Sequence, residues 1–442
     1  MDWLPLTIAF ALAAAAFTAL WPAQASLGTY AFLVPFDAVL TAGQAGRIHL
    51  HTTWFVAIEA CGILLMVGVL ERGFVRPPQA ALWLSLFVFW AVLSSAWAIR
   101  SEIAPFRLPE LLLLLLLYLV AVSSRVTEKE LDTIVWLAVL GGSVAASISL
   151  YQFSQGQYFI RPDAPQIETG RAALSAGAFA TEPDALGATL ILPFSLAAGI
   201  LLSSRTWFSR LFMIGCVGLI GTCIYASMSR GAVMAIAVVV LIYLWRSRAR
   251  PRVWVLLLLM GGSMAAMPGL FVSRFQDMIA DRGAGRMDIW ENGLQALWHY
   301  GILGAGLDRF PDAYNKFLYV SSEYRGFSRA SHNIYLRTAV ELGIVGITLL
   351  ALILWRHLLR ATKAYRSDLD ESSRLRLISY EAACWGLLIQ GLFYDILWEE
   401  YFWLAWMLLI MATRVCQVSP ALAYQDGRSD EYQARVQLPR WG

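Results

Sequence analysis

The sequence predicts an all-α, polytopic integral membrane protein, and its composition and its long apolar runs support that prediction. Hydrophobic residues make up 58% of the 442 residues, charged residues make up only 15%, and the mean hydropathy is +0.59. A soluble globular protein carries more charged residues, about 25%. Apolar runs long enough to cross about 30 Å of hydrocarbon as helices recur along almost the whole chain. On that criterion we expect about twelve transmembrane helices.

The start of the chain, its cysteines and its net charge argue against a cleaved signal peptide, a cysteine-based site and a nucleic-acid-binding role. Residues 8–20, followed by Ala23-Gln24-Ala25, resemble a signal-peptide core, but no Lys or Arg precedes them, so we expect a retained first helix. The five cysteines form no Cys-x-x-Cys pair, which argues against a disulfide framework or a cysteine metal site. The net charge of +3 does not fit a nucleic-acid-binding protein, in which basic residues cluster on a soluble face.

Basic loops predict the orientation of the membrane domain. The short loop 246–252 and the segment 356–376 are rich in arginine, which places both in the cytoplasm under the positive-inside rule. Counting the crossings from these loops places residues 154–184, 272–331 and 395–400 on the other side of the membrane.

We therefore expect one membrane domain over residues 1–416, with a large helical loop at about 272–331 on the outer side, directly before a histidine-bearing helix. Residues 417–442 are polar and are predicted to form a disordered cytoplasmic tail. Both chain termini are then cytoplasmic.

The helix that follows the large loop carries ionisable residues at its start. In Ser331-His332-Asn333, Ser331 is a good N-cap, so His332 is expected in the first turn of the helix. There the helix dipole favours neutral imidazole, the form that can act as a general base near pH 7. The alternative is a histidine that is merely hydrogen-bonded at the interface. Arg337 and Glu341 lie four residues apart and can pair, although a substrate contact remains open for Arg337.

Two arginines on the outward side are candidates to bind phosphate. Arg230 lies at a turn between two apolar runs, and Arg286 opens an amphipathic stretch in the outer loop. A planar guanidinium makes bidentate, charge-assisted hydrogen bonds to phosphate oxygens. Each arginine has an alternative role: Arg230 can be an interfacial anchor, and Arg286 can pair with Asp288 or Glu291.

The outward segments contain many more arginines than lysines, a pattern that suits binding of a polyanion or a diphosphate. The further arginines are Arg47, Arg100, Arg107, Arg161 and Arg171. Residues 301–307 are glycine-rich, but no strand precedes them and no Lys-Ser/Thr follows, so a tight turn is favoured over a nucleotide-binding loop. Histidines and acidic residues show no metal-ligand spacing, so we expect metal-independent chemistry that needs no cofactor.

Together these residues resemble the bacterial O-antigen ligase and O-antigen (exopolysaccharide) polymerase superfamily. The resemblance rests on Ser229-Arg230-Gly231, on Gly285-Arg286 through Trp290-Glu291, on the Gly304-Ala305-Gly306 turn and on Ser331-His332-Asn333 through Gly343. It covers roughly residues 220–350. Thr181-Glu182-Pro183-Asp184 is similar to the Pro-Asn element of many members, with Asp in place of Asn.

The resemblance implies a membrane glycosyltransferase of the bacterial inner membrane, acting at its periplasmic face on a glycan carried by undecaprenyl diphosphate. By motif position, His332 matches the essential histidine, and Arg230 and Arg286 match the diphosphate-binding arginines. Arg337 and Arg171 are further candidates for binding the diphosphate. The residues expected to support the site are Asn333, Tyr335 and Glu341. The implied reaction is inverting glycosyl transfer, in which His332 activates or orients the acceptor hydroxyl while arginines stabilise the leaving undecaprenyl diphosphate.

Three hypotheses about function remain open. A polymerase would join lipid-linked repeat units, and a ligase would pass the finished glycan to lipid A core; a weak similarity of the carboxyl-terminal span to exopolysaccharide polymerases favours the first. A transporter or flippase of lipid-linked glycans would carry polar residues deep in both halves of the membrane, whereas here the ionisable groups gather on the outer side. Besides donor and acceptor, the expected partners are membrane lipids and other polysaccharide-assembly proteins, and not nucleic acid.

Overall fold

The computed structural model describes most of the chain. The described residues are 22–45, 48–99, 104–161, 164–168, 170–176, 179–247, 250–265, 286–317, 330–366 and 369–425. Helices dominate them, so the prediction of an all-α protein is confirmed. The helix expected near the start of the chain falls largely within residues 1–21, outside the described residues. The last helix continues to Gln425, and the rest of the predicted tail also lies outside the described residues.

Fifteen α-helices cover most of the described residues. They are α1 (Pro22–Leu33), α2 (Thr52–Val67, continued by a π-helical turn at Gly68–Arg72), α3 (Gln79–Ser94), α4 (Ala104–Ser123), α5 (Glu128–Ser154), α6 (Pro183–Thr189), α7 (Ile191–Ser203), α8 (Trp207–Ala226), α9 (Arg230–Arg246), α10 (Arg250–Ala265), α11 (Arg286–Tyr300), α12 (Phe310–Lys316), α13 (Ile334–Ala364), α14 (Glu371–Gln390) and α15 (Glu400–Gln425).

Five segments among the described residues are long and apolar enough to cross a membrane. They are Thr52–Arg72, Glu128–Ser154, Pro183–Ser203, Trp207–Ala226 and Ile334–Ala364. Three shorter apolar helices accompany them, at Ala25–Phe36, Gln79–Ser94 and Arg252–Gly262. The described part of the chain is therefore that of a multi-pass membrane protein, while the expected number of about twelve spans is not confirmed.

The bundle has two distinct ends, which helix α14 connects. At its N-terminal end, the Arg374 guanidinium donates to the carbonyl oxygen of Arg246, where α9 ends. At its C-terminal end, the carbonyl oxygen of Gly391 accepts from the backbone N–H of Ile334, where α13 begins. The side chain of Gln390 contacts Gly231, at the start of α9. We call the end where α9 and α13 begin the site end, and the other the opposite end.

The core of the bundle lies between α7, α9 and α14. A methyl group added at Gly386 of α14 would lie 2.9 Å from Ile191 and 3.0 Å from Val239, so the glycine lets three helices approach closely. Every residue of α15 from 401 to 412 is buried. Large apolar side chains on α8 and α10 are instead exposed, Trp207 by 74% and Leu258 by 74%. In a bilayer such outward apolar surfaces contact lipid rather than water.

A hydrogen-bond exchange interrupts helix α13 at Gly343. This residue has φ +67° and ψ −166°, which ends the regular helical hydrogen bonding. The carbonyl oxygens of residues 340 and 341 accept instead from the N–H groups of Ala305 and Gly306, both at 2.9 Å. The Trp90 indole donates to the carbonyl oxygen of residue 342, also at 2.9 Å. Because unpaired backbone groups inside a membrane are costly, these replacement partners stabilise the break.

The turn that supplies those partners confirms the expectation of a tight turn at residues 301–307. Its two left-handed glycines are Gly304, with φ +81°, and Gly306, with φ +102°. Helices α11 and α12 flank the turn and pack on α13 through Ile289, Phe310 and Val340. The described part of the predicted outer loop is therefore helical and attached to the bundle.

Short antiparallel ribbons, which the all-α prediction did not include, cover part of the site end. Thr41–Ala45 pairs with Ile48–His51, Ile160–Arg161 with Ala164–Glu168, and Ser175–Ala176 with Phe179–Ala180. Their composition is not typical of strands. They form where connections between helices pair their own backbone groups.

A polar cavity of about 420 Å³ opens at the opposite end of the bundle. The starts of α5 and α14 and the end of α7 line it, with Asp132, Arg205 and Arg376 among its side chains. Arg376 donates to both carboxylate oxygens of Asp132 at 3.0 Å. The cavity and the predicted site residues thus lie at different ends of α14.

The break in α13 should make Gly304 intolerant of a side chain. A Cβ atom there would lie 2.2 Å from the carbonyl oxygen of Glu341, on a backbone whose φ already disfavours other residues. We expect Gly304→Ala to destabilise the fold by about 2 kcal/mol or more. Thermal unfolding in detergent, followed by tryptophan fluorescence, would report this as a lower Tm.

Gly301→Ala is the matched control for that substitution. It lies in the same turn, and an added Cβ would meet nothing closer than 3.7 Å. We expect it to leave Tm nearly unchanged. Equal Tm values for the two variants would show that the close approach between the turn and α13 does not hold in the protein.

Candidate active site

His332 lies just outside helix α13 rather than in its first turn. The helix begins at Ile334 and its N-cap is Asn333, whose Oδ1 accepts from the N–H groups of Tyr335 and Leu336 at 3.0 Å. The expectation that Ser331 caps the helix is therefore wrong. The Ser331 hydroxyl instead donates to Asp395 Oδ1 at 2.6 Å, so it is not placed to cap.

One carboxylate holds the turn that carries the histidine. Asp395 Oδ2 accepts from the backbone N–H of His332 at 3.1 Å, and Oδ1 accepts from that of Asn333 at 3.2 Å. The Trp290 indole donates to the carbonyl oxygen of Ser331 at 3.1 Å. His332 has a φ of +49°, in the left-handed region that costs free energy for a residue other than glycine. These hydrogen bonds offset that cost and fix the direction of the imidazole.

The environment of the imidazole favours its neutral form. Burial lowers the pKa of His332 below its ordinary value, Asp395 opposes the shift, and the positive charge of Arg286 adds to it. The prediction of a neutral imidazole thus agrees with the structure, although the main cause is burial rather than the helix dipole. The ring lies 6.2 Å from the ring of Tyr394, between their centroids.

Two arginines near this histidine share one carboxylate. Asp184 Oδ1 accepts from Arg171 at 2.9 Å, and Oδ2 lies 3.3 Å from Nη2 of Arg286. Arg171 also donates from Nε to the carbonyl oxygen of Ser227 at 2.8 Å, at the turn that precedes Arg230. The structure therefore pairs Arg286 with Asp184, and the Thr181-Glu182-Pro183-Asp184 element becomes part of the site.

Arg230 is the arginine with uncommitted donors. It is the first residue of α9, it is half-buried, and it makes no hydrogen bond or ion pair within the part of the chain that the structure describes. Its charge acts on Arg286. Gly231 fixes its place, because a Cβ atom there would lie 2.3 Å from Gln390 Oε1. Like charges held this close attract an anion, so the cluster is suited to bind phosphate groups.

Glu182 and Tyr394 complete the site, and the sequence analysis did not assign either. Glu182 is the N-cap residue of α6, yet its side chain does not cap the helix. Its Oε2 accepts from the Tyr394 hydroxyl at 2.8 Å. Its negative charge acts on both His332 and Arg286. The signal available in the sequence was an acidic residue directly before the Pro183-Asp184 pair.

Arg337 and Glu341, by contrast, are committed to holding the fold. The Arg337 guanidinium donates to Asp308 at 2.6 Å and to Glu341 at 3.1 Å. Glu341 also accepts from the backbone N–H groups of Asp308 and Phe310, both at 3.1 Å. Both residues therefore fasten the turn at 301–310 to α13. These bonds occupy Nε and Nη2 of Arg337, the residue for which a substrate contact was predicted.

Two of the remaining candidates, Tyr335 and Arg107, bond neighbouring parts of the fold. The Tyr335 hydroxyl donates to the carbonyl oxygen of Leu388 at 2.9 Å and ties α13 to α14. Arg107 pairs with Glu110 at 2.7 Å and lies 3.7 Å from Asp308. Arg47, Arg100 and the side chain of Arg161 lie outside the described residues.

Comparison with known protein families bears on the meaning of this cluster. Residues 214–351 match the family model described as O-antigen ligase. This segment is similar to the O-antigen ligase family. The match confirms, over about a third of the chain, the resemblance that the motifs indicated. No curated protein matches the chain.

The segment that matches the family model contains only part of the site. Arg230, Arg286 and His332 lie within the matched residues. Asp184 and Asp395, which hold Arg286 and the histidine turn, lie before and after them. The site is therefore assembled from the matched segment together with α6 and the α14–α15 connection.

The electrostatic coupling within the site can be measured at His332. Because burial favours the neutral imidazole, we expect its titration midpoint to lie below 6.5, the ordinary histidine value. Removing the charge with Arg286→Gln should raise that midpoint, since the Arg286 charge lowers it. NMR of protein labelled at histidine carbons, with the signal assigned by its loss in His332→Ala, would give both values.

Arg356→Gln provides the control for the second value, because Arg356 is exposed and donates to Gln79 at the opposite end of the bundle. It should leave the His332 midpoint where it is. A wild-type midpoint at or above 6.5, or equal midpoints in the two arginine variants, would contradict the described assembly.

Proposed function

We propose that the protein is a metal-independent, inverting membrane glycosyltransferase that acts at the periplasmic face of the bacterial inner membrane. It transfers a glycan from undecaprenyl diphosphate to an acceptor sugar hydroxyl. The observation that carries the proposal is the convergence of Arg171, Arg230 and Arg286 beside a neutral His332, with the last three inside the segment that matches the O-antigen ligase family model. The orientation rests on the basic segments 246–252 and 356–376. Helices α9 and α13 end in these segments, at the end of the bundle opposite the site.

The donor diphosphate supplies the anion that the arginine cluster lacks. The Arg230 guanidinium has no partner among the described residues, while Asp184 holds Arg171 and Arg286 in fixed positions. Preorganised guanidinium groups stabilise negative charge as it develops on a leaving phosphate oxygen, which is the part that a divalent cation plays in other enzymes. His332 lies beside them, where it can activate or orient the acceptor hydroxyl.

We favour a polymerase of O-antigen or exopolysaccharide repeat units over a ligase to lipid A core. The support is the weak similarity of the carboxyl-terminal segment, which carries Asp395, Glu399 and Glu400, to exopolysaccharide polymerases. A ligase uses the same donor chemistry and differs in its acceptor. A transporter is disfavoured, because the ionisable groups of the cluster gather at one end of the bundle and not along a path through it.

A single reconstitution experiment separates these functions. Purified protein receives one labelled undecaprenyl-diphosphate repeat unit, with and without lipid A core, and the products are sized on a gel. A ladder from the donor alone is expected for a polymerase. Label that moves only when lipid A core is present would indicate a ligase. Absence of covalent product in both tubes would contradict a transferase and favour a transporter.

The arginine fork is tested by Arg230→Lys. Lysine keeps the charge but loses the planar pair of donors, so we expect at least about a tenfold loss of transfer activity, the size of one charge-assisted hydrogen bond. Arg210→Lys is the matched control, since Arg210 is exposed and its guanidinium donates to the Ser204 carbonyl oxygen at the opposite end. Wild-type activity in Arg230→Lys would rule out bidentate diphosphate binding there.

Metal independence has its own test. We expect a chelator of divalent cations to leave the transfer rate unchanged, because arginines are proposed to neutralise the leaving diphosphate. The rate is compared before and after the chelator is added, with Mg²⁺ restored in a third sample. Loss of activity that Mg²⁺ restores would overturn the metal-independent scheme.

A further inference from the structure

The two ring nitrogens of His332 have different surroundings. Nδ1 is fully buried and has no hydrogen-bond partner among the described residues, whereas Nε2 is not such a buried, unpartnered atom, and the residue as a whole is half-buried. Orphaned buried N–H groups are rarer in proteins than under-satisfied acceptors. In the neutral ring the proton therefore belongs on Nε2, and Nδ1 keeps its lone pair. His332 then meets the substrate as a hydrogen-bond donor, so the site needs another group to accept the proton of the acceptor hydroxyl.

Three carboxylates act electrostatically on His332, and two of them are already occupied. Asp184 binds a guanidinium with each of its oxygens. Asp395 accepts hydrogen bonds from the turn of His332 with both of its oxygens. Neither can take a proton from a substrate without giving up a contact that holds the site together.

Glu182 is the carboxylate with a free oxygen. Its side chain is exposed, and only Oε2 has a partner within the described part of the chain, the Tyr394 hydroxyl at 2.8 Å. Burial and the Glu182 charge raise the pKa of Tyr394, so that hydroxyl stays protonated and donates. Glu182 is the N-cap residue of α6, but its side chain makes no capping hydrogen bond and is held by Tyr394.

We propose that Glu182 is the general base of the transfer reaction and that Tyr394 is its positioning residue. The proposal rests on the glycosyl transfer proposed above. Glu182 Oε1 takes the proton of the acceptor hydroxyl as that oxygen forms its bond to the anomeric carbon of the donor glycan. The bond from that carbon to the diphosphate oxygen breaks, and its electron pair leaves with undecaprenyl diphosphate toward the arginines. His332 orients the reactants through the N–H at Nε2.

The test uses an acceptor that has no proton to lose. We expect Glu182→Gln to lower kcat for a sugar acceptor at least about 100-fold with little change in KM for the donor, because general base catalysis contributes that much. In Glu182→Ala, azide should restore turnover by attacking the anomeric carbon directly, which yields a glycosyl azide detectable by mass spectrometry. Tyr394→Phe should lower kcat less, by about tenfold, the size of one hydrogen bond.

His332→Ala and Glu71→Gln complete the design. We expect azide to restore turnover in Glu182→Ala, whereas His332→Ala should stay slow with both azide and sugar. Glu71 is exposed near the end of the π-helical turn, at the opposite end of the bundle, and its change to Gln should leave kcat unaltered.

The outcomes separate this inference from the proposed function. Covalent product from wild type, together with full activity in Glu182→Gln, would refute the base assignment alone. So would a Glu182→Ala variant that binds donor normally and forms no glycosyl azide. Absence of covalent product from wild type with either acceptor would refute the proposed transfer reaction itself, and the base assignment with it.

Discussion

The Asp184 carboxylate, shared between Arg171 and Arg286, is the interaction on which the candidate site depends. Arg286 comes from α11, Arg171 from the connection after α5, and Asp184 from α6, so one side chain joins three distant parts of the sequence. Partly buried charges are tolerated only when they pair with each other or with the charge of a ligand. Removing the carboxylate would leave two guanidinium groups to repel each other and Arg230. The Asp184 carboxylate therefore sets both the geometry of the cluster and the amount of positive charge left for a ligand.

A second constraint acts through the backbone. The break at Gly343 frees carbonyl groups of α13 to accept hydrogen bonds from the glycine turn at 301–306. The side chains of Glu341 and Arg337 also bond this segment, at Phe310 and Asp308. Helix α11 precedes that turn, and its Trp290 indole bonds the carbonyl oxygen of Ser331. The position of the histidine turn thus depends on a helix break about two and a half turns after the start of α13. Residues with no substrate contact can control the site in this way.

The sequence predicted the fold class and half of the site because those depend on local patterns. Apolar runs predict membrane helices whatever their packing. Arg230, Arg286 and His332 were predicted because arginine suits phosphate binding and histidine suits proton transfer, and because their positions match the motif. The roles of Asp184, Asp395 and Glu182 were not predictable, because each acts through a partner that is far away in the sequence. The same reason explains Arg337: its spacing from Glu341 was visible, but the third partner, Asp308, was not. The N-cap was misassigned because Ser331 and Asn333 suit it equally by type, and Asp395 decides between them.

On the proposed reaction, the partial neutralisation of the arginines by Asp184 favours turnover. A cluster of three free guanidinium groups would bind the donor diphosphate and the released undecaprenyl diphosphate tightly, and uniform binding of that kind does not raise kcat. Asp184 lowers the charge available to the bound donor, while the uncommitted fork of Arg230 remains for the charge that develops as the glycosidic bond breaks. Glu182 adds a second negative charge on the acceptor side, where it also favours departure of the anionic product. This distribution of charge would stabilise the transition state more than the bound donor. Positive charge would be concentrated where the leaving oxygen becomes negative and not spread over the whole diphosphate.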